Sequence, residues 1–165
     1  WMHEGGISTP LIVRWPAQIQ QTGGWTNQTG HVIDLMATCV DVSRANYPVV
    51  KQNQLIIPFE GKSLRPTFLN PDQTEERTLY WEHEGNKAVR QGNWKLVKQH
   101  KQDWELYDLD QDRSELNNLA PQQPQRVASL EELWNAWAEH VGVVPWERLP
   151  PPGYTNKGPD FYRKK

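Results

Sequence analysis

The sequence predicts an α/β chain, α+β in its own organisation, built around a four-stranded antiparallel sheet with a helix packed on it. Three observations predict this. Between residues 78 and 109, short runs of β-formers alternate with Gly and Asn turns, the pattern of a meander. Residues 124–140 then carry apolar side chains at helical spacing,. Ahead of both, residues 7–16 and 31–43 add a proline-bounded apolar run and a second helical stripe,. A chain of 165 residues is long enough for one domain, or two small lobes, with a real core,.

In chain order, Ile7-Ser-Thr-Pro-Leu-Ile-Val-Arg-Trp-Pro16 is too short for a helix and predicts a buried strand,. A polar stretch with Gly23-Gly24 and Asn27–Gly30 predicts a surface loop,. From His31 to Ser43, Val32, Met36, Cys39 and Val40 fall at helical spacing, with Ile33, Leu35 and Val42 widening the stripe,. Cys39 on that stripe is expected to be an inert core thiol. Residues 44–76, punctuated by Pro48, Pro58, Pro66 and Pro71, suit a linker between lobes, with a single helical turn over Leu64–Leu69,.

The strands of the meander are expected over Thr78–His83, Lys87–Arg90, Trp94–Lys98 and Trp104–Leu109,. After a turn at Asp110–Arg113, a helix from about Pro124 to His140 presents Val127, Leu130, Leu133, Trp134, Trp137 and Val141 on one face. Pro124 suits its first turn. That face should cover the sheet, because a four-stranded sheet with an uncovered apolar face is unstable in water. The end of the chain, with Pro150-Pro151-Pro152 and Arg163-Lys164-Lys165, is expected to be extended or disordered,.

Composition removes several classes of function. Eighteen Lys and Arg against twenty Asp and Glu give a formal charge of −2, which argues against a general nucleic-acid binder. No apolar run approaches the roughly 18–20 residues that span a bilayer. A single cysteine leaves no disulfide framework and no multi-cysteine zinc site,. Nine tryptophans do not suit a disordered chain. The chain opens Trp1-Met2-His3-Glu4-Gly5-Gly6 without a basic and then apolar leader,, so localisation is not legible, and the start looks like the interior of a longer protein.

Two tetrads stand out, His3-Glu4-Gly5-Gly6 and His83-Glu84-Gly85-Asn86. Imidazole beside carboxylate suits acid–base work or hydrogen bonding to a polar ligand. The same residues also read as turns whose glycines supply backbone freedom. Asp110, Asp112 and Ser114 open like a calcium loop, but Glu115 stands where Gly is needed and Pro121 where a bidentate Glu is needed,. That segment is therefore read as an Asx-type turn. Asn27-Gln28-Thr29 fits the glycosylation acceptor pattern without further support,. There is no Gly-x-Ser-x-Gly elbow, His-Glu-x-x-His pair or phosphate-binding Gly-rich loop,.

Several separated segments share one resemblance. Residues 3–16, His-Glu-Gly-Gly-Ile-Ser-Thr-Pro-Leu-Ile-Val-Arg-Trp-Pro, resemble the Glu-Gly-Gly-Ile-x-x-Pro-x-Ile-x-x-Trp-Pro region of the type I sulfatases, in the alkaline-phosphatase superfamily. His31–Asp41 looks like the helix that follows it. Leu79–Val97, Trp104–Leu109 and the turn Asp112–Leu119 resemble the C-terminal subdomain of bacterial arylsulfatases. The likeness is collinear over roughly residues 1–146.

The resemblance implies residues 1–60 as the end of an α/β/α catalytic domain and 61–76 as a linker. It implies 77–144 as a subdomain of antiparallel sheet plus helix, and 145–165 as a tail. It implies a sulfuric ester hydrolase whose formylglycine, made from a Cys-x-Pro-x-Arg cysteine and acting with Ca2+ or another divalent metal, attacks sulfur covalently. Cys39, in Thr-Cys-Val-Asp-Val, does not match that motif, and the metal carboxylates and active-site Lys fall before residue 1. Residues 1–165 alone are therefore expected to bind no metal and to be inactive.

What the resemblance leaves here is a candidate rim for the substrate pocket: His3, Glu4, His83, Glu84 and Asn86, with Arg90 a weaker candidate and Asp34, Trp94 and Trp104 structural. The expected partners are a sulfate ester, sulfated carbohydrates among them, and the N-terminal domain of the same chain, with no nucleic acid and no membrane. The family implies a periplasmic or secreted location. A phosphodiesterase or phosphonate monoester hydrolase of the same superfamily, or a stand-alone carbohydrate-binding module, remain the alternatives.

Overall fold

A computed structural model describes residues 1–20 and 23–149. Residues 21–22 of the predicted loop, and the tail from residue 150 with its prolines and basic end, lie outside the described residues. The elements are α1 (Glu4–Ile7), α2 (Asp34–Ser43), β1 (Val50–Lys51), β2 (Gln54–Leu55), α3 (Arg65–Leu69), β3 (Thr78–His83), β4 (Asn86–Gln91), β5 (Trp94–Lys98), β6 (Trp104–Asp108), α4 (Pro124–Val141) and a 3-10 turn at Trp146–Arg148. They form two compact units: Trp1–Ile7 with the chain from Tyr80 onward, and Ser8–Leu79.

In the first unit, β3, β4, β5 and β6 lie side by side in chain order. Antiparallel registers such as Arg90↔Lys95 and Lys95↔Tyr107 fix which residues share a face. The β3–β4 loop is the two residues Glu84 and Gly85, both at positive φ, the twist that a tight hairpin needs. One face carries Val89, Leu96 and Leu106, which cluster with Leu130 and Trp134 of α4. Val127, Leu133 and Trp137 flank that cluster, and Tyr80 stacks on Trp137 with centroids 5.1 Å apart. The indole N–H of Trp134 donates to the carbonyl of Trp81 at 3.0 Å, so this large side chain is buried without an orphaned donor.

α4 begins with Pro in its first turn and ends at Gly142 (φ 72°), whose N–H returns to the carbonyls of Ala138 and Glu139,. Val141, predicted on the covered face, is exposed because the helix ends there. Beyond β6, Asn118 Oδ1 accepts the N–H groups of Leu106 (3.0 Å) and Ala120 (2.9 Å), and Leu119 N–H donates to Leu106 O. The Asp112 carboxylate accepts the N–H groups of Leu116 and Asn117 at 2.8 and 2.7 Å. This is the Asx-type turn expected in place of a calcium loop.

The opposite face of the sheet carries Ala88, Val97 and Tyr107, and Met2 of the N-terminal strap packs among them with Trp81 against the cluster. Each face of the small sheet thus has its own cover. The strap is the cover that periodicity could not foresee, because it comes from seven residues at the far end of the chain.

The second unit is organised by a charge. The carboxylate of Asp34 is wholly buried. It accepts from Arg77 Nη1 and Nη2 at 2.6 and 2.9 Å, from Lys62 N–H at 2.9 Å and from His31 N–H at 2.7 Å. Burial alone would raise its pKa, but the Arg77 hydrogen bonds and the two backbone donors hold the carboxyl below its usual range,. The bond to His31 N–H also folds residues 31–34 into a turn, so α2 starts at Asp34 and not at the predicted His31. The structural role expected of Asp34 is this hub.

Two expectations in this unit are overturned. The run 7–16 is not a buried strand: residues 8–15 are irregular and Ile12 is 91% exposed. A strand needs a neighbour for its N–H and C=O groups, and neither sheet among the described residues takes this run in. The apolar stripe of α2 is not core either. Val32, Leu35, Met36 and Val42 are exposed, and so is Cys39, which is no core thiol. The polar stripe explains this inversion. Asp34 holds Lys62 N–H, Thr38 Oγ1 accepts Leu64 N–H at 2.9 Å, and Asp41 accepts from the Ser63 hydroxyl at 2.6 Å.

Residues 44–76 contain the hairpin β1–β2, whose two loop residues Gln52 and Asn53 both have positive φ, and α3 on the predicted single turn.

Candidate functional site

The two His-Glu-Gly tetrads fold into different things. The first becomes the strap and the single-turn α1. Its side chains match, one for one, charges on the sheet face beneath. Registers Ala88↔Val97↔Glu105 and Arg90↔Lys95↔Tyr107 place Arg90, Lys95 and Glu105 on the same face as the apolar Ala88 and Val97. His3 Nε2 lies 2.7 Å from Glu105 Oε2, which also accepts from the Tyr107 hydroxyl at 3.1 Å. Burial, and then the negative charge of Glu105, push the Tyr107 phenol up, so it remains a donor,.

Glu4 reaches deeper. Its Oε1 is 2.9 Å from the ammonium of Lys95, which is completely buried, and Glu115 Oε1 lies at the same distance on Lys95. Glu115 Oε2 accepts the backbone N–H of Glu4 at 2.5 Å. A buried ammonium is tolerable only with such partners. Arg90 is nearby: burial lowers its guanidinium pKa, while the charge of Glu4 acts in the opposite direction.

The second tetrad is the exposed β3–β4 turn. His83 Nδ1 and Glu84 Oε2 are 3.9 Å apart and both side chains face solvent. Asn86 braces the turn, donating to His83 O at 2.8 Å and accepting the N–H of His100 at 3.1 Å. His100 Nδ1 in turn lies 3.7 Å from Glu147 Oε1. The structure thus gathers His83, Glu84, Asn86 and His100 at one end of the sheet. Glu4 sits over Lys95, near the other end of the same ribbon. Asn86 and Arg90, the register partner of Lys95, lie four residue steps apart along β4, about 13 Å at strand rise.

Sequence reasoning gave no functional role to Lys95, Glu105, Glu115 or His100. A signal existed for one of them: Lys95 is a charge inside Trp94-Lys-Leu-Val97, where the neighbours are apolar. A lysine there needs a carboxylate, and Glu4 supplies one 91 positions away.

Calcium, which the resemblance implies, does not fit these residues. The carboxylates of Glu4 and Glu115 converge on a point already taken by the Lys95 ammonium. No group of three or more His, Cys, Asp or Glu able to hold a metal exists among the described residues. No described helix is long and apolar enough to cross a membrane. The concavity of the second unit is lined by Gln28, Thr67 and Gln73 with Lys62, Glu75 and Arg77. Its charges are paired internally, Lys62 with Glu75 and Arg77 with Asp34.

Two solved structures share this fold. BT33336S-sulf, from a Bacteroides thetaiotaomicron locus for the metabolism of multiple glycosaminoglycans, superposes with a TM-score of 0.51 at 22% identity, over 64% of this chain and 24% of its own. BT4656, solved in complex with D-glucosamine-2-N,6-O-disulfate, gives 0.50 at 20% identity, over 70% of this chain and 25% of its own. At these identities the likeness is one of fold.

Sequence comparison agrees and is more specific. Residues 1–140 match the family described as N-sulphoglucosamine sulphohydrolase, C-terminal, and the chain belongs to that family. An uncharacterized sulfatase of Schizosaccharomyces pombe is 32% identical over 148 residues, covering 86% of this chain and 26% of the relative. An N-acetylgalactosamine-6-O-sulfatase of Bacteroides thetaiotaomicron is 28% identical over 150 residues, covering 79% and 27%. The chain spans about a quarter of the length of the curated relatives it matches.

Proposed function

We propose that this chain serves as the C-terminal part of a sulfuric ester hydrolase of the arylsulfatase-like type, acting on sulfate esters of carbohydrates. The observation that carries the reading is the family match over residues 1–140. Two relatives add to it, one named for action on an N-acetylhexosamine sulfate and one solved with a disulfated glucosamine. The formylglycine and divalent metal implied by the resemblance belong, in this reading, to polypeptide outside residues 1–165. The same polypeptide is the chain's partner, and the periplasm or the exterior its location. Residues 1–165 alone are inactive.

Within this reading the chain supplies recognition and placement. The exposed turn offers the imidazole of His83, the carboxylate of Glu84 and the amide of Asn86 to the hydroxyls of a saccharide, donors and acceptors of the kind that fix a polar ligand. Arg90 is a weaker contributor, because its Nε already donates to Gly92 O at 2.9 Å. His3 and Glu4 belong to the rim through the strap, whose position they set by binding Glu105 and Lys95.

The test is the whole polypeptide, assayed for sulfate release from sulfated N-acetylhexosamines and 4-nitrophenyl sulfate, with bis-4-nitrophenyl phosphate as control. Sulfate release is expected. Release of nitrophenol from the phosphate diester alone would replace the reading with a phosphodiesterase. Saccharide binding by the folded protein without turnover would replace it with a binding module.

A further inference from the structure

α2 is an amphipathic helix turned inside out. Its polar stripe, Asp34, Thr38 and Asp41, spaced i, i+4, i+7, is occupied by residues 62–64 of its own unit. Its apolar stripe, Leu35, Met36, Cys39 and Val42, continued by Val32, is exposed. Helices normally bury the apolar stripe and expose the polar one. Here the polar stripe is already committed to buried hydrogen bonds, so this side of the helix cannot rotate outward to exchange places with the other.

The exposure is concentrated in the second unit. Beyond the stripe it includes Leu11, Ile12, Trp25, Val49, Leu55 and Ile57. In the first unit both sheet faces have covers, and the exposed large apolar residues described there are Trp1, Leu116 and Val141. A soluble surface rarely presents so much apolar area without a partner.

We propose that the outward stripe of α2 is a docking surface for the rest of the sulfatase polypeptide, the part N-terminal to Trp1. The inference rests on the proposed function. The occupant is argued from length and place: the chain spans about a quarter of its relatives, and it matches a family defined as C-terminal, so most of the relatives' length precedes the matched part. Leu35, Met36, Cys39 and Val42 carry no charge, so the face that meets them is apolar and excludes water.

Cys39 is the only cysteine of this chain and lies on the stripe, so it reports on the face directly. The experiment compares alkylation of Cys39 by iodoacetamide, followed by peptide mass mapping, in folded residues 1–165 and in the full-length polypeptide. In dilute 1–165 the thiol reacts at nearly the rate of the urea-unfolded chain. In the full-length polypeptide it reacts at least tenfold more slowly.

Equal rates in the two proteins would overturn the proposal. Protection in 1–165 that grows with concentration, together with a doubled mass in solution, would assign the face to a second copy. Protection in monomeric 1–165 would assign it to the chain itself. The readout needs no activity. A polypeptide that releases sulfate with Cys39 open sinks the docking surface alone, and one that shields Cys39 without hydrolysing any sulfate ester sinks the sulfatase reading alone.

Discussion

Lys95 and Glu4 meet at 2.9 Å from opposite regions of the chain, in a place where the lysine has no exposure to solvent at all. Glu115 completes the group and also fastens the strap through the backbone of Glu4. The position of the first His-Glu tetrad is therefore set by the sheet of the small unit. The three groups should behave as one.

Lys95→Met leaves two carboxylates facing each other without their cation. Removing one partner of a buried ion pair costs about 3–5 kcal/mol, and urea unfolding of residues 1–165 should show this as a lower midpoint at unchanged slope. Glu4→Gln alone should cost less, about 1–3 kcal/mol, because Glu115 remains on Lys95. The double variant should lose less than the sum of the two. Strict additivity would mean that the pair does not interact.

The Asp34 hub predicts a dependence on acid. Its carboxyl titrates below the ordinary 3.8, so between the two values the unfolded chain binds the proton and the folded one does not. The stability due to this group is complete above about pH 4 and is lost as pH falls through the folded pKa. Asp34→Asn should lower stability at neutral pH and flatten its fall in acid, measured by urea midpoints from pH 6 downward. An unchanged acid slope would remove Asp34 as a source of it.

Gly85 sits at φ 79°, and a Cβ there would lie 2.5 Å from the Nδ1 of His100. Gly85→Ala therefore meets two obstacles. The left-handed backbone costs about 1–2 kcal/mol for a residue with a side chain, and the imidazole must move. Adding His100→Ala should recover the steric part and leave the backbone part. Thermal melts of the two single variants and the double variant separate them. No recovery would show that His100 gives way freely.

The small sheet was legible because each of its signals is local. Strand alternation, Gly and Asn turns and the stripe of α4 all lie within a few residues of the contacts they specify. The resemblance extended that reading to the family. What was not legible required distant partners. Lys95 looks misplaced until Glu4 and Glu115 are beside it, and Asp34 looks like one more helical polar residue until Arg77 closes on it. The apolar stripe of α2 was read correctly as apolar but placed on the wrong side, because periodicity says which residues share a face and not what that face meets. Residues 7–16 failed for the same reason: β-formers make a strand only where another strand receives them. The rim residues were named from the tetrads and the resemblance. Their split into a locked strap and an open turn depended on side chains elsewhere on the sheet.

That split makes the last prediction selective. His83 is exposed on a turn braced by Asn86, and His83→Ala should leave the urea midpoint within about 0.5 kcal/mol of the parent, as exposed substitutions do. If the turn holds a saccharide in the full-length enzyme, losing one ordinary hydrogen bond of about 0.5–1.5 kcal/mol raises KM roughly two- to twelvefold. Because the contact is made equally with the substrate and its transition state, kcat stays unchanged. The effect should appear on sulfated N-acetylhexosamines and be absent on 4-nitrophenyl sulfate, which has no sugar hydroxyls for the turn to hold. Equal losses on both substrates would place His83 near the sulfur chemistry, and no change on either would leave it a surface residue.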